Sequence, residues 1–203
     1  MPNLTVIAGP NGAGKSICSA DLLSTKAVQS FDYDFEFNAR WKTYSYDPLV
    51  ERGVREYVAD LYLKLKQEAI SKKNNFAFET NYHTNKVLDT VRNFKAEGFF
   101  TELIFIFLEN TDLAKQRVKD RVACGGHSVE EETIEERFEK GIALLDDTFH
   151  QYDFVSLYLS KEKIIEAVCN IEPSAKRIVE FQTLPQVLQK KLPKLTQFMS
   201  GVA

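Results

Sequence analysis

Apolar and polar positions along the chain fall into two alternating rhythms. Short apolar runs rich in β-branched and aromatic residues read as strands: "LTVIA" (4–8), "AVQSFDYD" (27–34), "NFAFET" (75–80), "FFTELIFIFLEN" (99–110), "FVSLYLS" (154–160) and "KIIEAVCNI" (163–171). Between them, over 15–24, 48–73, 85–99, 111–123 and 128–149, lie amphipathic stretches that read as helices. Punctuation agrees with this division. Asp47-Pro48 is a cap followed by a helix-starting proline. Gly98 is the glycine expected just after a helix, and Thr111-Asp112 supply a cap. Ser128 with Glu131 three residues later reads as a capping box.

Strands alternating with helices predict an α/β fold: a parallel sheet covered by helices on both faces. Such sheets bind ligands beyond the carboxyl ends of their strands. One domain is expected over residues 1–172, with a small helical lid at about 117–138. From Pro173 the chain becomes basic and proline-punctuated, with "QKKLPKL" at 189–195. Residues 173–203 are expected to form accessory helices packed on the same domain.

The turn between the first strand and first helix carries the chemistry. Residues 9–16 read "GPNGAGKS", which fills the pattern G-x-x-x-x-G-K-[ST] with Gly9, Pro10, Asn11, Gly12, Ala13, Gly14, Lys15 and Ser16. Glycines let successive backbone N–H groups converge on phosphate oxygens, and the following helix adds its dipole. Lys15 is placed to reach β- and γ-phosphates, and the Ser16 hydroxyl to hold Mg²⁺. This wording of the loop is shared with ABC-transporter motors, but nothing else is. No LSGGQ-type signature exists, "CGGHS" at 124–128 lacks its Leu-Ser and Gln, and "LIFIFL" ends in Glu109-Asn110 rather than Asp-Glu.

Composition narrows the class further. The 203 residues carry a formal net charge of −3, so no global basic field favours nucleic acid or an anionic membrane. The longest strongly apolar run, 103–108, is too short to span a bilayer, and a first strand beginning by Leu4 leaves no room for a secretory leader. Three scattered cysteines, Cys18, Cys124 and Cys169, fit reduced thiols and a cytoplasmic location. Cys124 and His127 have C-x-x-H spacing without a second pair, so a zinc site is not expected.

Three further clusters suit phosphoryl transfer. In "SFDYDFEFN" (30–38), strand alternation would put Asp32, Asp34 and Glu36 on one face and the aromatic residues on the other. An acid there can accept the proton of an attacking hydroxyl or hold the metal. Glu79 and Thr80 emerge from the apolar run 75–80, where they can meet a substrate hydroxyl. Arg117 and Arg121 share a helix face, Arg137 lies in the returning helix, and Gly125-Gly126 could hinge the pair. Closing arginines stabilise charge on transferring phosphoryl oxygens. The aromatics from Phe31 to Tyr46 fit core packing better than stacking on a sugar or base.

In this order, the loop, the acidic segment, "FET" and "RV-x-x-RV-x-x-GGH-x-V-x-x-x-x-I-x-x-RF" resemble the zeta toxin family over most of residues 3–145. The closer likeness is to its chromosomal branch, often labelled as predicted ABC-type ATPases. The resemblance implies an adenylate-kinase-like P-loop fold, ATP (or GTP) with Mg²⁺, and phosphorylation of a hydroxyl on a small molecule. Zeta toxins proper phosphorylate the amino sugar of UDP-N-acetylglucosamine and are held inactive by an antitoxin, so a small helical antitoxin is an implied partner. Asp34 matches the family's catalytic acid, Glu79 and Thr80 its substrate-facing pair, and Arg117, Arg121 and Arg137 its lid pattern. Two positions depart from the pattern. The family's G-D-x-F-R is replaced by Phe31-Asp32-Tyr33-Asp34-Phe35, which leaves Asp32 a rival for catalytic base, and the second Thr of E-T-T is Asn81.

Overall fold

The structure, a computed structural model, describes every residue except 124–127, 162–163, 182–183 and 203. The described residues form one seven-stranded sheet in the order β2-β3-β1-β4-β5-β6-β7. Its strands are β1 (Asn3–Ala8), β2 (Ser30–Phe31), β3 (Phe76–Thr80), β4 (Phe100–Phe107), β5 (Phe154–Lys161), β6 (Ile164–Glu172) and β7 (Arg177–Phe181). The helices are α1 (Lys15–Leu22), α2 (Tyr33–Lys42), α3 (Glu51–Lys72), α4 (Lys86–Ala96), α5 (Thr111–Ala123), α6 (Glu131–Thr148), α7 (Gln186–Lys191) and α8 (Pro193–Val202). Strands β1 to β5 pair in parallel, while β6 and β7 add an antiparallel hairpin at one edge. This edge departs from parallel pairing for a simple reason. Only residues 162 and 163 separate β5 from β6, far too few for a parallel crossover.

Burial explains why the central strands read as unbroken apolar runs. Leu4, Val6, Ile7 and Ala8 of β1 are all fully buried, as are Leu103 and Phe105 to Phe107 of β4. Helix α4 lays Val87, Leu88, Val91 and Phe94 on this core. It ends as the glycine predicted: Gly98 at φ +78° lets its N–H reach Lys95 O at 2.9 Å, while Phe99 N–H reaches Phe94 O at 3.1 Å. Those two bonds are a Schellman motif.

The structure corrects four local readings. The segment 27–34 is a strand only at Ser30–Phe31, and Tyr33–Lys42 is a helix. One oxygen of Asp32 accepts from the N–H groups of Asp34 (3.0 Å) and Phe35 (3.1 Å), which caps α2. Asp32, Asp34 and Glu36 therefore share no strand face. The aromatic residues follow helical spacing instead: Phe37 and Trp41 pack with ring centroids 5.3 Å apart, and Phe35 is left exposed. Helix α5 is capped by Asn110, whose side chain accepts from Leu113 N–H at 2.8 Å, and not by Thr111-Asp112. Helix α6 starts at Glu131 with Glu130 as its N-terminal flank, so Ser128 and Glu131 form no capping box. The tail beyond Pro173 contributes strand β7 as well as helices α7 and α8. Asp146 of α6 accepts from the N–H groups of Lys194 (3.2 Å) and Leu195 (2.9 Å), fastening the start of α8 to α6.

Candidate active site

The strand order places the carboxyl ends of β2, β3 and β1 side by side. Phe31 pairs with Phe78, and Ile7 and Ala8 pair with Glu79 and Thr80. Asp32, just beyond β2, and Glu79, near the end of β3, stand at this rim. Opposite lies the α5–α6 pair. A cavity of about 580 Å³ opens between them, lined by the loop, Asp32, Asp34, Glu79, Thr80, Arg117, Arg121 and Arg137.

The phosphate-binding loop is wedged in place by its neighbours. Gly9 has φ +149°, and a Cβ there would stand 2.4 Å from the Ile106 carbonyl oxygen of β4. At Gly12, with φ +81°, a Cβ would stand 3.0 Å from the Ala114 carbonyl oxygen and 3.1 Å from the Arg117 Cβ. Both positions need glycine for backbone conformation and for space. Gly14 (φ +88°) opens α1 with no side-chain cap, so the first N–H groups of that helix face the loop. Within the loop, Asn11 and Ala13 are buried.

Lys15 folds back into the loop. Its Nζ donates to Gly9 O (2.8 Å), Pro10 O (3.2 Å) and Asn81 Oδ1 (3.0 Å). Burial lowers its pKa to about 8; Glu79, Asp32 and Asp34 oppose that shift, and Arg121 adds to it. The Ser16 hydroxyl lies 2.6 Å from Asp32 Oδ2 and 2.8 Å from Glu79 Oε2, so two carboxylates converge on one hydroxyl. The other Glu79 oxygen accepts from Ser30 Oγ at 2.9 Å. Burial raises the Glu79 carboxyl above its ordinary range, with the nearby Asp32 charge acting the same way and both serine hydroxyls opposing.

The two acids proposed for the base are now distinguishable. Both oxygens of Asp32 are engaged, one with the α2 backbone and one with Ser16. Asp34, in the first turn of α2, is exposed on the cavity wall, and its carboxylate makes no hydrogen bond or ion pair among the described residues.

The three arginines divide in a way that their spacing does not reveal. Arg117 donates to Gly12 O (3.3 Å) and to Ser160 Oγ on β5 (2.7 Å), binding α5 to the loop. Arg121 and Arg137 line the cavity. Within the acidic run 130–132, Glu131 pairs with Lys115 and Lys119, and Lys115 also pairs with Glu135. The proposed Gly125-Gly126 hinge and the Cys124/His127 spacing lie outside the described residues. Thr80 faces the cavity, and its hydroxyl accepts from Tyr82 N–H at 3.0 Å.

Sequence reasoning missed Ser30, Ser160, Asn81 and His83 as site residues. Asn81 stood in plain view as the residue after "ET", but only as a departure from pattern. His83 lines the cavity with a buried Nδ1 that has no hydrogen-bond partner among the described residues, and its pKa is lowered by burial and then by Arg137.

The model of the zeta toxin family matches residues 1–168. The chain belongs to the zeta toxin family. A chain of the PezAT chromosomal toxin–antitoxin system of Streptococcus pneumoniae superposes over 100% of this chain and 87% of its own, with TM-score 0.64 and 13% identity. The AvrRxo1-ORF1:AvrRxo1-ORF2 complex solved with sulphate ions matches with TM-score 0.69 and 14% identity, over 95% of this chain and 63% of that one. The same complex solved with ATP gives TM-score 0.68. At these identities the likeness establishes a shared fold, a mostly parallel sheet flanked by helices. A Haemophilus influenzae protein described only as uncharacterized is 27% identical over 70 residues, which span 34% of this chain and 50% of the relative. Among the described residues no helix is long and apolar enough to cross a membrane.

Proposed function

We propose that this zeta toxin family member is an ATP-dependent kinase that moves the γ-phosphoryl group onto a hydroxyl of a small molecule. The observation carrying this reading is the convergence of Asp32 (2.6 Å) and Glu79 (2.8 Å) on Ser16 beside the phosphate-binding loop. One hydroxyl hydrogen serves one carboxylate at a time. The second carboxylate would be balanced by a divalent cation, and an all-oxygen donor set suits Mg²⁺. Ser16 and Asp32 would hold that ion, which when bound neutralises charge on the phosphate oxygens.

The remaining roles follow from position. The loop N–H groups and Lys15 bind the phosphates. Arg121 and Arg137, across the cavity, stabilise charge on the transferring group. Arg117 holds loop and α5 together. Asp34 is exposed to the cavity with an uncommitted carboxylate, and it takes the proton of the attacking hydroxyl. Glu79 and Thr80 face the acceptor. GTP is the alternative donor. Family membership makes a sugar nucleotide the first acceptor to test. It also supports a small antitoxin as partner, since PezAT is a toxin–antitoxin system.

The test is a transfer assay with MgATP against sugar nucleotides, free sugars and nucleosides. A phosphorylated product is expected, and Lys15→Ala should remain folded yet lose transfer. Near-native turnover by folded Lys15→Ala would refute transfer at this loop. Stoichiometric ATP binding with no transfer to any acceptor would favour a nucleotide-sensing protein.

A further inference from the structure

An ammonium group has three hydrogens to donate and accepts none. Lys15 uses all three inside the protein, on Gly9 O at 2.8 Å, Pro10 O at 3.2 Å and Asn81 Oδ1 at 3.0 Å. A lysine in this state has no hydrogen left for a phosphate oxygen, so it must surrender a partner to bind one. Two of the partners are backbone carbonyls of the loop, which is held against β4 and α5. The third is a side chain that can be withdrawn by rotation about its own bonds.

Asn81 is held in position from behind. The next residue, Tyr82, adopts φ +57°, which non-glycine residues seldom do. Its ring is fully buried, and its hydroxyl lies 2.9 Å from Thr148 Oγ1 of α6 and 3.2 Å from the Tyr152 hydroxyl. Helix α6 also presses on the backbone of Asn81 itself: a Cβ on Gly141 would stand 2.9 Å from the Asn81 carbonyl oxygen. Arg137 lies one turn before Gly141 on the same helix and lines the same cavity. The helix that brings an arginine to the cavity therefore also sets the residue that holds the loop lysine.

We propose that Asn81 is a positioning residue that parks Lys15 and competes with nucleotide phosphate for its ammonium, with α6 setting that competition through Gly141. The inference rests on the kinase reading only in taking nucleotide phosphate as the competing ligand. It makes an unusual demand on direction. Damage to a binding site ordinarily weakens binding, but removing a competitor strengthens it. An aspartate at this position keeps the acceptor and adds a charge, so it should hold the lysine more firmly and also repel phosphate.

The experiment is calorimetric titration of wild type, Asn81→Ala, Asn81→Leu and Asn81→Asp with the imido analogue of MgATP, after thermal unfolding has shown which variants are folded. Ala and Leu should bind about three- to tenfold more tightly, the size expected for losing one charge-assisted hydrogen bond partly replaced by water. Asp should bind more weakly. In turnover the change should appear in KM for ATP more than in kcat. Gly141→Ala should shift affinity in the wild type and add little to Asn81→Ala, because its path to Lys15 runs through Asn81. Folded Ala and Leu variants that bind with unchanged or weaker affinity would overturn the role of Asn81 and leave the kinase reading standing. A wild-type chain that binds no nucleotide overturns both.

Discussion

Gly141→Ala separates close packing from helix propensity with unusual clarity. Alanine is the better helix former by about 1 kcal/mol in a helix interior. At Gly53, an exposed position of α3, a Cβ would meet nothing within 4 Å, so Gly53→Ala should gain up to that amount. At Gly141 the same Cβ would stand 2.9 Å from the Asn81 carbonyl oxygen and 3.7 Å from that of Tyr82. Neither carbonyl yields cheaply, because the fully buried Tyr82 ring anchors the segment to Thr148 and Tyr152. Forcing an extra methyl into such a site costs about 1–3 kcal/mol. Gly141→Ala should thus be the less stable of the two variants by about that much, a gap of about 2–12 °C in Tm for a chain of this length. Thermal and urea unfolding of both variants, with matching denaturant slopes, measures the gap. If Gly141→Ala raises Tm as far as Gly53→Ala does, α6 does not press on the Asn81 backbone, and its proposed link to Lys15 fails with it.

The other expectations concern single side chains. Asp34→Asn should keep ATP affinity while transfer falls by about 10²-fold or more. Asp32→Asn should instead raise the Mg²⁺ concentration needed for half-maximal rate, and a larger loss of transfer in Asp32→Asn at saturating Mg²⁺ would exchange the two roles. Glu79 has a folded-state carboxyl raised above its ordinary value, chiefly by burial. The folded protein therefore binds this proton more readily than the unfolded chain, and this group's contribution to stability increases as pH falls through the raised value and levels off below the unfolded one. Over the same interval Ser16 loses a carboxylate neighbour, so Mg²⁺ dependence should steepen on acidification; Glu79→Gln should abolish that pH dependence, and its persistence in Glu79→Gln would assign it to another group. Asp146→Ala removes the acceptor for Lys194 and Leu195 N–H and should cost about 0.5–2 kcal/mol, with early loss of amide protection in α8 if the cap acts as described.

What could be read from the sequence was whatever is decided within a few residues or by burial on both sides. The runs of β1 and β4 announce central strands because no position in them faces water. Gly98 announces a helix end because its backbone conformation suits glycine. The phosphate-binding loop is legible for the same reason at Gly9 and Gly12. The acidic segment was misread because "FDYDFEF" satisfies two patterns at once. Its alternation is real, but one aspartate oxygen bonded to two N–H groups starts a helix there. That choice between local bonds decides which acid meets Ser16 and which faces the cavity, so a wrong element also blurred the assignment of roles. The arginines show a different limit. Arg117 and Arg121 share a helix face and both line the cavity, and their spacing does not reveal that Arg117 is tied to Gly12 and Ser160. The Arg117 partners come from the loop after β1 and from β5, brought together by the sheet order. Asn81 is the sharpest case. Read against a family pattern it is a missing threonine; in the fold its amide oxygen sits 3.0 Å from Lys15 Nζ, across a separation of 66 residues. A substitution that looks like loss of a substrate contact can thus be a new contact with the nucleotide lysine, and the opposite affinity changes expected for alanine and aspartate at this position distinguish the two.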